Sequence, residues 1–252
     1  MVKIRVLPTL LFKDLGLVKG VSFDSWRRVG SAMQAIKVYN LREVDEVIFL
    51  DIAATQEGRP PDFELVDELA DECFMPLTVG GGVRTLEHVR RLLQVGADKV
   101  AVNTAAVETP ALVSEIAETF GSQCVVVSID FKRLPGGRCA VFTHSGTRAT
   151  DKDPVEFAQE MEARGAGEIL LTSIERDGTM SGYDLEVVRR LSNAVTIPVI
   201  CSGGAGNYDH MVAAVQEGCA SAVAAASIFH FTQQTPLEAK RHMHDHGIAV
   251  RL

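Results

Sequence analysis

The sequence predicts an α/β protein, a parallel (β/α)8 TIM barrel assembled from two duplicated half-barrels. Three observations lead there. Short apolar, β-rich runs alternate with longer helical patterns along all 252 residues, the signature of βα units around a parallel sheet. Eight such units fit the length typical of a barrel, about 250 residues. The chain also repeats itself. Thr78-Val79-Gly80-Gly81-Gly82 resembles Ile200-Cys201-Ser202-Gly203-Gly204, and Gly96 and Gly218 stand at the same offset of 122 residues. An open doubly wound sheet accounts for the alternation but not for the repeat, which is a duplicated fold unit rather than a solenoid period. One domain is therefore expected over residues 1–252, with half-barrels of about 1–120 and 121–252.

Strands are expected to begin near Ile4, Glu46, Met75, Lys99, Cys124, Glu168, Pro198 and Ser221. Helices are expected around 30–41, 62–72, 85–94, 110–120, 154–164, 184–193, 207–217 and 235–246. Pro110 and Pro154 fall where a first helical turn tolerates proline. The segment after the first strand, which carries Lys19, reads as a loop.

Composition excludes several function classes. The net charge is −8 with no block of like charges, which argues against general nucleic-acid binding through phosphates. Met1-Val2-Lys3-Ile4-Arg5 runs straight into a strand with no leader-like apolar stretch. No run approaches the roughly 18 apolar residues of a membrane span. Cys73, Cys124, Cys139, Cys201 and Cys219 are odd in number and lack a C-x-x-C spacing, as expected of reduced thiols in a cytoplasmic protein. His242, His244 and His246 alternate along an expected helix, which spreads them around its axis. They read as a solvated face and not as a metal site. No residue pattern requires a metal or a cofactor.

Active sites of such barrels form at the C-terminal strand ends. Glycines there let a backbone approach an anion and aim amides at it. Gly81, Gly82, Asn103 and Thr104 form one expected phosphate cradle, and Gly203, Gly204, Ala226 and Ser227 a second. The competing reading is that these glycines only make tight turns, but two pairs at symmetric positions favour anion sites. Two phosphates across one mouth imply an elongated substrate phosphorylated at both ends. Asp51 ends the second strand and Asp177-Gly178 follows the sixth, where an acid serves either a turn or a ligand. Lys19 is placed to meet an anion or to stay solvated. Asp130 ends a buried run, where a carboxylate costs desolvation unless it has work or a partner.

A further repeat sharpens the case for Asp130. Val6-Leu7-Pro8-Thr9-Leu10-Leu11-Phe12-Lys13 aligns with Val125-Val126-Val127-Ser128-Ile129-Asp130-Phe131-Lys132 on the shared Phe-Lys pair. Leu11 then falls opposite Asp130, so one of two expected acids is a leucine, which transfers no proton. At the other end of the strands, Arg5, Glu46, Lys99 and Glu168 mark the starts of the first, second, fourth and sixth. They predict a ring of ion pairs across the barrel floor, serving either stability or as a gate to the interior.

With Phe-Leu-Asp-Ile at 49–52, Leu-Thr-Val-Gly-Gly-Gly-Val-Arg at 77–84, Gly-Ala-Asp-Lys-Val at 96–100, Gly-Ser-Gln-Cys-Val-Val at 121–126, Gly-Ala-Gly-Glu-Ile-Leu-Leu-Thr-Ser at 165–173, Arg-Asp-Gly-Thr at 176–179 and Ser-Gly-Gly-Ala-Gly at 202–206, the chain resembles the cyclase subunit of imidazole glycerol phosphate synthase (HisF) over nearly its full length. The resemblance implies a lyase-type subunit that binds a glutaminase at the bottom of the barrel. Ammonia would pass through the barrel to a bis-phosphorylated substrate. It implies a gate at Arg5, Glu46, Lys99 and Glu168, a glutaminase contact at Asp98, phosphate sites at the glycine pairs and a catalytic acid at Asp130. The family's motif Pro-Cys-Leu-Asp-Val-Lys departs here to Pro8-Thr9-Leu10-Leu11-Phe12-Lys13. A HisF-like branch associated with sugar amidation in surface-polysaccharide (lipopolysaccharide) biosynthesis carries this kind of departure. Ser-Ile-Phe-His-Phe-Thr-Gln-Gln-Thr-Pro at 227–236 also resembles that branch. The implied partners are a glutaminase, a sugar amidotransferase and a phosphorylated small molecule. The alternative is a genuine histidine-pathway cyclase, and a third reading is a non-catalytic scaffold that activates a glutaminase.

Overall fold

Eight parallel strands close on themselves in the computed structural model, which describes residues 3–42 and 44–252. They are β1 (Arg5–Lys13), β2 (Val47–Asp51), β3 (Leu77–Gly80), β4 (Lys99–Val102), β5 (Val125–Arg133), β6 (Glu168–Ser173), β7 (Val199–Ser202) and β8 (Ala222–Ala225). Each pairs in parallel with the next, and β8 returns to β1 through the register Arg5–Ala222 to Pro8–Ala225. The outer helices are α1 (Ala32–Leu41), α2 (Phe63–Asp71), α3 (Leu86–Gln94), α4 (Ala111–Phe120), α5 (Pro154–Ala163), α6 (Leu185–Ser192), α7 (Tyr208–Gln216) and α8 (Pro236–Asp245). Every strand start lies within two residues of the expected position. Among the described residues, no helix is long and apolar enough to cross a membrane.

Strand periodicity sorts the side chains into two sets. Outward-facing Val6, Leu10, Val47, Phe49, Val79, Val100, Val127 and Ile169 join the helices in one continuous core. Inward-facing Leu7, Ile48, Ala101, Val126, Leu170, Ile200, Ala222 and Ala224 form a separate apolar cluster. Both strand faces are buried, so the strands read as nearly unbroken apolar runs.

Two antiparallel hairpins rise from the C-terminal rim, and the sequence reading did not anticipate them. β1 continues into Gly16–Val21 and Asp24–Gly30. β5 continues into Cys139–Thr143 and Arg148–Ala149. The expected loop around Lys19 is therefore a strand. Ser22 and Phe23 link the first hairpin, both with positive φ, as a two-residue type I′ turn requires. Phe23 packs on the cluster of Ala140, Phe142 and Ile174, so the two hairpins meet across the mouth. Two short helices, Thr104–Glu108 and Ser227–Phe231, follow β4 and β8 at the rim.

Candidate functional site

The principal pocket opens at the C-terminal face. All fourteen residues expected there line it: Leu11, Lys19, Asp51, Gly81, Gly82, Asn103, Thr104, Asp130, Asp177, Gly178, Gly203, Gly204, Ala226 and Ser227. Their roles differ once contacts are counted.

The glycine pairs are constrained by the backbone itself. Gly81 and Gly82 have φ of +109° and +70°, and a Cβ on them would come within 2.2 Å of the Asp51 carbonyl oxygen and 2.6 Å of that of Arg59. Gly203 and Gly204, at +83° and +119°, approach the carbonyls of Ser173 and Gly182 equally closely. Tight turning alone thus demands glycine at these positions. The stronger sign of a ligand lies next door. Helices α2, α3, α5, α6, α7 and α8 begin on Asp62, Thr85, Asp153, Asp184, Asn207 and Thr235, whose side chains accept from first-turn amides. The starts of α1, α4 and the short helices at Thr104 and Ser227 have no such side-chain cap, and of these four the two short helices begin at the pocket. First-turn amides left without a side-chain cap can be satisfied by an anion. The buried Ser227 hydroxyl also lacks a protein partner, as does that of Thr9. Unpaired buried hydroxyls are costly, and both residues line this pocket.

Asn103 and Asp51 are partly committed to structure. The Asn103 amide donates to the carbonyls of Ser128 (3.0 Å) and Phe142 (3.1 Å), tying β4 to β5 and its hairpin. One Asp51 oxygen accepts from the amides of Ala53 and Ala54 at 3.0 Å, and Arg59 meets the other at 3.0 Å. Asp51 thus serves its turn first.

Lys19 is buried and ion-paired with buried Asp177, from the hairpin after β1 to the loop after β6. The Ser22 amide donates to the Asp177 carbonyl at 2.7 Å and fastens the same junction. A solvated Lys19 is thereby ruled out. Burial raises the Asp177 pKa and Lys19 opposes the rise. Asp130 opens toward the pocket but sits deep in the barrel. Burial and, secondarily, Asp177 push its pKa up to about 7. A carboxyl poised near neutrality suits proton transfer. Four strand steps separate β1 from β5 in either direction around the barrel, so Leu11 stands across the mouth from Asp130. Leu11 pairs with Leu50 and Val18 and is nearly wholly buried.

Thr9, Ser128, Thr172 and Ser202 also line the pocket and were not singled out in the sequence. Thr9 and Ser128 lie two positions before Leu11 and Asp130 on the same inward face, so strand periodicity could have found them. Phe23, Trp26 and Ser145 come from the unanticipated hairpins.

The expected floor residues do converge. Arg5 donates to Glu46 and to Glu168, each at 2.6 Å, and Lys99 donates to the same two at 2.9 and 3.0 Å. Thr78 adds a hydrogen bond to Glu46 at 2.7 Å. Burial alone would lower the Arg5 pKa, but Glu168 and Glu46 outweigh it and raise it. Asp98 is exposed beside Lys99 and accepts from the Leu77 amide at 2.8 Å. Above the ring, the apolar inner cluster separates floor from pocket.

A model of the histidine biosynthesis protein family matches residues 5–235. The chain belongs to the histidine biosynthesis protein family. Its barrel is accordingly that of an enzyme family, and the C-terminal pocket is where such barrels work.

Proposed function

We propose that this histidine-biosynthesis-type barrel is a HisF-like synthase subunit. In this reading it docks a glutaminase on the N-terminal face and passes ammonia up the barrel. The ammonia is delivered to a phosphorylated acceptor at the C-terminal mouth, in sugar amidation for surface polysaccharide. The carrying observation is the closed ring of Arg5, Glu46, Lys99 and Glu168 beneath the apolar inner cluster of the barrel. An apolar passage admits neutral ammonia far more readily than an ion, since burying a charge unpaired is costly. Exposed Asp98 lies at the same end, as a contact to the glutaminase requires. The uncapped starts of the two short helices that line the pocket support anion binding at both sides of the mouth.

Leu11 directs the reading away from cyclisation. Losing one member of an acid/base pair costs on the order of 10²–10⁴-fold. The test is cyclase turnover on the bis-phosphorylated nucleotide intermediate with free ammonium. The unmodified chain should be slower than Leu11→Asp by that order. Robust turnover that Leu11→Asp leaves unchanged would overturn the reading.

One observation favours a genuine histidine-pathway cyclase instead. Asp177 lies near enough to Asp130 to raise its pKa, so a second acid is present in the pocket. Robust turnover lost in Asp177→Asn would establish that alternative.

A further inference from the structure

We infer that Asp209, His242 and His246 form a surface site for a zinc-class divalent transition-metal ion that clips α7 to α8. The three histidines of this region were expected to spread around their helix. Only His244 behaves so. His242 and His246 are one helical turn apart and share a face, as i and i+4 positions do, and Asp209 of α7 faces them. One ligand atom from each residue lies within 4.8 Å of the others. Bonds of 2.0–2.1 Å in a tetrahedral array place ligand atoms about 3.4 Å apart, a closure that side-chain rotations of these surface residues can supply.

The hydrogen bonds favour a ligand role over a chance cluster. The Nδ1 of His246 lies 2.8 Å from the His242 carbonyl oxygen. A carbonyl only accepts, so Nδ1 carries the proton and the Nε2 lone pair is free. A backbone carbonyl holding the second nitrogen of a metal-binding histidine is the usual outer-shell arrangement. The Nε2 of His242 stands 2.7 Å from an Asp209 oxygen. A carboxylate only accepts, so that nitrogen is protonated without metal. Binding replaces this proton at Nε2: in the neutral ring it moves to Nδ1, and from the charged ring one proton passes to solvent, so the ligand is a neutral imidazole. The carboxylate remains as the third ligand. Two imidazoles and one carboxylate suit zinc and its neighbours better than calcium or magnesium. The fourth position stays open to water.

The frame is already parallel and fastened. The Tyr208 hydroxyl donates to Glu238 at 2.8 Å, and Gln216 donates to the His246 carbonyl at 3.0 Å. α7 follows the loop of Gly203 and Gly204, and α8 follows the short helix that begins at Ser227. The ion would therefore brace the two helices behind the second glycine loop. This site is independent of the reading of the barrel mouth.

The test is titration of the chelator-stripped full chain with zinc by calorimetry, its thiols first alkylated so that Cys219 contributes nothing. One ion per chain is expected. His242→Ala and His246→Ala should each weaken it at least 10-fold, the scale of losing a metal-site group, and Asp209→Asn should weaken it as well. His244→Ala should leave the affinity unchanged. Cobalt in place of zinc should give the visible spectrum of a nitrogen and oxygen site. Equal affinity in His242→Ala, His246→Ala and the unmodified chain, or no saturable 1:1 binding, would overturn the assignment.

Discussion

Asp130→Asn should gain stability relative to the parent as pH rises to about 7, and keep that margin in mild alkali. The native Asp130 carboxyl holds its proton until about pH 7, against an ordinary value of 3.8. Between those values the folded chain binds a proton that the unfolded chain has lost. Stability therefore falls with rising pH across this window. Moving a carboxyl from 3.8 to about 7 corresponds to about 4 kcal/mol, at roughly 1.36 kcal/mol per pH unit. Pocket water reaches one side of the group and reduces that figure, so a difference of at least about 1 kcal/mol is the expectation. Asparagine keeps the shape and removes the ionisation. Urea unfolding of both proteins from pH 5 to 8.5 measures the effect. The gap in stability between variant and parent should widen from pH 5 to about pH 7 and level off above it. A gap that stays constant across the series would show that Asp130 ionises normally and would refute the reasoning.

Glu46→Ala should cost about 3–5 kcal/mol in urea unfolding, because Arg5 and Lys99 then share Glu168 alone in a largely buried ring. Gly204→Ala should destabilise by at least about 2 kcal/mol in thermal unfolding, since its Cβ would lie 2.1 Å from the Gly182 carbonyl oxygen at φ +119°. Gly136→Ala is the control: φ is +95° but nothing lies within 4 Å of the added carbon, so backbone strain acts there alone and the loss should be smaller.

The barrel strands were legible because both their faces are buried. Runs such as Val47–Leu50 are apolar throughout and end abruptly at a charged residue. The floor ring was legible for a related reason: a charge at the start of such a run has no solvent-facing side to occupy. The hairpins were not legible. Ser22-Phe23 lacks the Asn-Gly signal of a type I′ turn, and Asp24-Ser25-Trp26-Arg27-Arg28 is too exposed to alternate visibly. The Lys19–Asp177 pair was hidden with them, because it depends on a hairpin reaching across the mouth. The glycine pairs were found, but their backbone contacts give them a turning role as well as a place in the pocket. The uncapped short helices carried no sequence mark beyond the absence of a capping side chain at Ala226.

The meeting of the two hairpins has a consequence for how the mouth opens. Phe23 rests on Ala140, Phe142 and Ile174, while the same hairpin buries Lys19 against Asp177. Phe23 is partly buried, so exposing it costs less than the roughly 1.5–3 kcal/mol of a fully buried phenylalanine. Lifting it also admits water to the ion pair behind it, and water weakens such pairs steeply. Each contact thus shields the other, so the first to break lowers the barrier for the second. The two contacts are thereby coupled through one hairpin, and a substitution that loosens either should weaken both.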